Sequence, residues 1–544
     1  MYKNLRAFLA VLLAAALLCG CATSGGSMRE HLAAHEKAVL PQQDELLTFD
    51  QMVYERPDMD VLAQTLEEAC TLAGGEDVEA IMDAVFAYYD AYDWFYTCYS
   101  LADIHYSMDL TDSYWEAEYY YCVEQSAEVD AGLEELYYTL AASPCRQTLE
   151  GEDYFGSGFF DSYDGENGWD DHFTELLERE AELENRYYDL SGEAGSLTPG
   201  AKGYYTTYGE PMAQVLVDLI LVRQEIAAYW GYDNYVDFAW DFYYYRDYTP
   251  AQMENYMASI SRELVPIYRQ MARTDVWDQA YRYASQEDTF AFVKEAVMAM
   301  GGTVAEAFGD MESRGLFDLS YSPNKYSTSF EVYLTSYQSP FVFVCPGLEV
   351  YDRLTFAHEF GHFCNDFASG GSYAGIDVLE IFSQGMEYLS LCYGADTGSL
   401  TRVKLADSLC TYVEQAAFAT FEHRAYSLSG EDLTVEGLCA LYDEVAQAYG
   451  FDAVGYDPME FVTITHFYTN PLYIDSYVVS NDAALQLYLM ELEAPGTGLA
   501  LFEENLDTTE AYFLAFLEIA GLESPFAPGQ LESVRDLLER QLLG

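Results

Sequence analysis

The run His358-Glu359-Phe360-Gly361-His362 sets two histidines four residues apart around a glutamate. That spacing demands a helix, in which residues i and i+4 lie on one face a turn apart. Both imidazoles can then reach one Zn²⁺, while Glu359 points toward a water on the same ion. The flanks agree, with Asp352 as a candidate N-cap and Ser369-Gly370-Gly371 as a helix end. Chance would supply this pattern only about 0.01 times in a chain of this composition. A catalytic zinc takes three protein ligands and leaves a fourth position open, so a third ligand must come from downstream. Glu380 is the candidate. It lies in Asp377-Val378-Leu379-Glu380-Ile381-Phe382-Ser383-Gln384-Gly385-Met386-Glu387, where Asp377, Glu380, Gln384 and Glu387 form one polar stripe at helical spacing. Asp377 and Glu387 are then candidates to fix the imidazoles or neighbouring groups from behind. A solvated helix face is the competing reading of those two. A closed structural zinc site would need a fourth Cys or His, and Cys364 faces away from the His358 and His362 stripe.

A second constellation, Thr465-His466-Phe467-Tyr468-Thr469-Asn470-Pro471-Leu472-Tyr473-Ile474-Asp475-Ser476-Tyr477, joins a scarce histidine to several phenols. With 50 Tyr in the chain, aromatics alone argue only for packing. Beside a zinc motif, His466, Tyr473 and Tyr477 become candidate donors to the oxyanion formed when water attacks a carbonyl. His31, His35, His105, His172 and His423 complete no recognisable metal motif.

The 544 residues carry a formal charge of -68, with the acidic surplus spread along the chain. Such a field repels a phosphate backbone, which excludes nucleic acid as a partner. It suits a solubilising surface, or else one that draws in cationic peptides. Of 11 Cys, Cys19 and Cys21 fall in the amino-terminal export signal, and the other nine include no CxxC pair. They read as small buried hydrophobes or an occasional disulfide.

Lys3 and Arg6 precede an apolar run from Ala7 to Leu18, the pattern of a secretory signal rather than of a spanning helix. Leu18-Cys19-Gly20-Cys21 resembles a bacterial lipobox, which makes Cys21 the expected lipidated residue and the membrane its anchor. The resulting expectation is a signal peptide over 1–20, a linker over 21–28, an amino-terminal helical lobe over 29–195 and a catalytic region over 196–544. Helical periodicity dominates, broken at Trp230-Gly231-Tyr232-Asp233-Asn234 and by loop-like stretches at 161–171 and 191–203. Only Tyr326 to Cys345, with Phe341-Val342-Phe343-Val344, reads as strand, so a small sheet stands next to the His358 helix. The fold class is mainly α.

Together these segments resemble the thimet oligopeptidase and oligoendopeptidase F family of zinc peptidases. The likeness covers Leu221 to Leu487 and includes Ala227-Ala228-Tyr229-Trp230-Gly231-Tyr232-Asp233-Asn234-Tyr235 and the strand-like Ser339 to Gly347. It implies two helical lobes flanking a deep channel that admits short unstructured peptides. It also implies one Zn²⁺ on His358, His362 and Glu380, Glu359 as the base, and His466, Tyr473 and Tyr477 as transition-state donors. Extended substrate would pair with the strand near Phe341. Asn365 stands where many relatives have a further histidine, and the interval from His362 to Glu380 is short for the family. The loop from Gly370 to Gly375 reads either as a substrate clamp or as an ordinary helix terminus. The alternative activity is capture of peptides by a non-catalytic lipoprotein, for which a water-activating glutamate between two ligands has no use.

Overall fold

Aspartates open the first helices. Asp58, Asp77 and Asp112 cap α1 (Met59–Ala73), α2 (Val78–Met108) and α3 (Ser113–Ala141), each side chain accepting from a backbone N–H of the first turn. In this computed structural model, the described residues are 46–544 except 152–153, 164–170, 195–201, 372–373 and 396. Cys21 and the whole of the expected export signal lie outside them, as do His31 and His35. The three helices close a small core around Val85, Phe95, Leu136 and Phe155. Asp130 is buried in it and accepts from Tyr92 and Tyr96 at 2.9 and 2.5 Å. Burial pushes its carboxyl up to about 7.

A second, larger core holds the rest of the chain. Helix α4 (Asp171–Ala194) packs against α5 (Glu210–Tyr229), so it joins this larger core although it precedes the division expected at residue 195. Fully buried Arg223 of α5 binds them with ion pairs to Glu180 and Glu184 at 2.6 and 3.0 Å. The expected break at Trp230 to Asn234 is present: Gly231 takes φ 83°, and Asn234 caps α6 (Tyr235–Phe242).

The sheet has three strands, β1 (Phe317–Asp318), β2 (Phe330–Leu334) and β3 (Ser339–Phe343), in the order β1-β3-β2. β3 is buried throughout, pairs antiparallel with β2 along its whole length and parallel with β1 at Val342 and Phe343, and therefore lies inside the sheet rather than at an exposed edge. This corrects the expectation that substrate pairs near Phe341; the antiparallel edge of the sheet is β2.

The motif lies on α7 (Asp352–Ser369) and its partner stripe on α8 (Ile376–Tyr393). Asp352 is the first helical residue rather than the cap, and its carboxylate accepts from Gly347 N and Glu349 N at 3.0 Å each, tying down the approach to the helix. Gly370, at φ 76°, ends α7 as expected. α7 and α8 touch at Gly361, where a Cβ would stand 2.5 Å from Phe382 O and 2.6 Å from Ser383 Cα. α8 then packs along α11 (Ile474–Glu493), which lies later in the chain than α9 (Gly398–Cys410) and α10 (Ala416–Tyr426). A π-helical turn, Thr411–Gln415, joins α9 to α10. All nine cysteines among the described residues are free thiols. Among those residues, no helix is long and apolar enough to cross a membrane.

Candidate metal centre and active site

The close approach at Gly361 brings Glu380 of α8 under the histidine face of α7. His358, His362 and Glu380 present ligand atoms that all lie within 4.8 Å of one another. His358 Nε2 is 3.6 Å from Glu380 Oε2. Donors held about 2.0–2.2 Å from one tetrahedral zinc sit about 3.3–3.6 Å apart, a spacing that the His358–Glu380 pair already has, with His362 within 4.8 Å of both. Two imidazoles and one carboxylate also form the donor set of a catalytic rather than a closed zinc site.

The stripe on α8 is buried at Asp377, Glu380, Gln384 and Glu387, which removes the solvated-face reading. Glu387 Oε1 accepts from His358 Nδ1 at 3.0 Å and leaves Nε2 directed at the cluster. Asp377 touches neither imidazole. It pairs with Arg246 at 3.2 Å and accepts from Tyr248 at 2.8 Å, so of the imidazoles or neighbouring groups expected as its partners it contacts only neighbouring groups. The reason is its place at the amino end of α8, a full turn before Glu380. Ser383 and Tyr473 hold Glu380 itself, donating to Oε2 at 2.9 Å and to Oε1 at 3.3 Å.

Arg246 organises the third wall. Fully buried between the Trp240 and Tyr244 rings, it donates to Leu472 O at 3.0 Å and Ser476 Oγ at 2.9 Å. Tyr244 adds a bond to Pro471 O at 2.7 Å. These bonds pin Leu472 at φ 65°, a left-handed conformation costly for a leucine, and so aim Tyr473 at the cluster. Tyr477, in the first turn of α11, sits 3.5 Å from His466 Nε2, and the two phenols and the imidazole form one aromatic group with ring centroids 5.3 to 5.9 Å apart.

His358, Glu359 and Tyr477 line a cavity of about 240 Å³ together with Lys404, Asp407 and Gln415. Burial pushes the Glu359 carboxyl up to about 7, with His358 opposing and Glu380 reinforcing. Burial would lower His358, but Glu387 and Glu380 lift it to about 9. Burial, then its neighbour His358, drives His362 down to about 3. Those directions arise from protein groups alone, and a divalent cation in the cluster would favour the neutral imidazole at both positions. Burial, with Glu380 adding, keeps the Tyr473 and Tyr477 phenols well above their ordinary range, hence as donors.

The structure thus gathers His358, Glu359, His362, Glu380, Glu387, His466, Tyr473 and Tyr477, and sets Asp377 one contact away. Sequence reasoning missed Arg246, Lys404 and Ser383. The available signal was scarcity: only 24 Lys and Arg stand against 92 acids, and Arg246 follows an aromatic run where a charge must have a buried purpose.

A mainly helical, two-lobed fold thus carries the cluster of His358, His362 and Glu380. Residues 49–166 match the family described as Peptidase M3 N-terminal domain. The fold is also that of solved structures at low identity. PZ peptidase A with an inhibitor is 19% identical with a TM-score of 0.76, over 91% of this chain and 99% of that one. A Bacillus anthracis protein provisionally assigned as oligoendopeptidase F is 19% identical with a TM-score of 0.72, over 91% and 98%. Oligoendopeptidase-F from Enterococcus faecium is 15% identical with a TM-score of 0.53, over 89% and 96%. No curated protein matches by sequence. Residues 49–166 thus resemble the amino-terminal domain of the peptidase M3 family, and the chain as a whole shares the fold of the oligoendopeptidase F structures.

Proposed function

We propose that the chain is a zinc-dependent endopeptidase that hydrolyses short unstructured peptides at the outer face of a bacterial membrane, tethered by lipid on Cys21. The observation that carries the chemistry is the convergence of His358, His362 and Glu380 within 4.8 Å, with Glu359 buried at the adjoining cavity. When bound there, zinc would act as a Lewis acid that lowers the pKa of water and polarises the scissile carbonyl. Glu359 accepts the proton of the attacking water and passes it to the departing amine.

Tyr473 is committed to Glu380, whereas Tyr477 lines the cavity beside Glu359, so Tyr477 is the donor to the developing oxyanion and His466 orients it. The tether rests on Leu18-Cys19-Gly20-Cys21 and the apolar run before it. Peptide capture without cleavage is the other reading of an anchored acidic protein, but it gives Glu359 nothing to do.

The test is metal content together with a cleavage map on a peptide library. Zinc near one equivalent and chelator-sensitive internal cleavage are expected. Glu359→Gln should keep the metal and lose nearly all turnover; a variant that stays active removes Glu359 as the base.

A further inference from the structure

We propose that Lys404 is a positioning residue for the metal centre, acting through Glu387 on His358. The inference rests on the zinc reading above and adds a residue to it. Lys404 rises from α9, and its side chain is 2% exposed. Its ammonium lies 2.8 Å from Glu387 Oε2, the oxygen that His358 does not use, and 3.1 Å from Asp407 Oδ2. Asp407 is held in turn by Tyr351, which donates to Oδ1 at 2.9 Å. The Tyr388 ring closes the remaining side, 4.9 Å from the ammonium.

The consequence is geometric. A carboxylate gripped at one oxygen can still turn about its last torsion, a broad one for glutamate. Glu387 is gripped at both oxygens, by an imidazole from α7 and an ammonium from α9, so its plane is fixed. The Nδ1 bond then fixes the plane of the His358 ring and the direction of Nε2. Tyr351, Asp407, Lys404, Glu387 and His358 form one polar chain running across three helices and the residue before α7. A lysine placed only to balance charge would not need both a defined carboxylate oxygen and a second anchored acid.

The experiment is competition for zinc between the full-length protein and a chelator, with thermal melts in parallel. Lys404→Met should bind zinc ten- to a hundredfold more weakly, the usual range for losing an outer partner of a ligating histidine. Lys404→Arg, which keeps the charge and can reach the same oxygen, should restore affinity to within about threefold of wild type. In a Glu387→Gln background, Lys404→Met should change affinity no further, because its route to the metal is already cut. That double variant removes both buried charges together, so it reports even if Lys404→Met alone does not fold. Unchanged or tighter zinc binding by Lys404→Met, with only the melting temperature lowered, makes Lys404 merely structural and overturns the proposal. A further affinity change in the Glu387→Gln background overturns it too, since the lysine would then act on the metal through space. If the wild type itself binds no zinc, the zinc reading falls first; if it binds and the variants match it, only the role of Lys404 is lost.

Discussion

Gly361, the fourth residue of the motif, offers the most direct test of how the site is assembled. A methyl at that position would stand 2.5 Å from Phe382 O and 2.6 Å from Ser383 Cα, whereas ordinary contact begins near 3.4 Å. The shortfall is 0.9 Å, and the obstacle is backbone, which cannot swing aside as a side chain can. Gly361→Ala would gain about 0.8–1.0 kcal/mol of helix propensity. Overpacking a close contact costs about 1–3 kcal/mol, and a backbone obstacle puts this case at the upper end. The net loss is about 1–2 kcal/mol, a few degrees of melting temperature. Metal binding should suffer more. His358 and His362 ride on α7 and Glu380 on α8, and ligand distances tolerate about 0.2 Å. Parting the helices by most of 0.9 Å therefore lowers zinc affinity at least tenfold. Chelator competition and a melting curve read both quantities. A Gly361→Ala protein that binds zinc like wild type and melts no lower would refute the claim that this contact sets the site.

Arg246→Met removes a fully buried cation from between Asp377 and Asp475 and should cost about 3–5 kcal/mol, read by chemical denaturation, with turnover falling further as Tyr473 and Tyr477 lose their support. The amino-terminal lobe should be more stable at pH 5 than at pH 8. Burial raises Asp130 and Glu134 to about 7 and Asp103 to about 6, so the folded lobe holds protons that the unfolded chain releases near pH 4, and that stability fades as pH rises from about 4 to 7. Limited proteolysis across that range measures the effect, and Asp130→Asn should flatten it.

Some of this was legible before any coordinates. The i, i+4 spacing of His358 and His362 fixes a helix and a shared face because the helical period is local, and the polar stripe through Glu380 and Glu387 is equally local. The break at Gly231 and Asn234 was visible for the same reason. The small sheet could be read from composition, but not its order: strand pairing is non-local, so only the fold shows that β3 is central and that the antiparallel edge is β2.

What the sequence determined by itself is the chemistry on offer: two imidazoles, a carboxylate between them, and a choice of later acids and phenols, all carried by short-range periodicity. Which of those acids reaches the histidine face was decided by tertiary contact. Asp377 and Glu387 belong to the same stripe, yet Arg246 takes the first, while the second reaches His358 with Lys404 behind it. Partners 17 to 131 residues apart in the chain meet only after the helices pack, and no periodicity records which buried charge will stand opposite which.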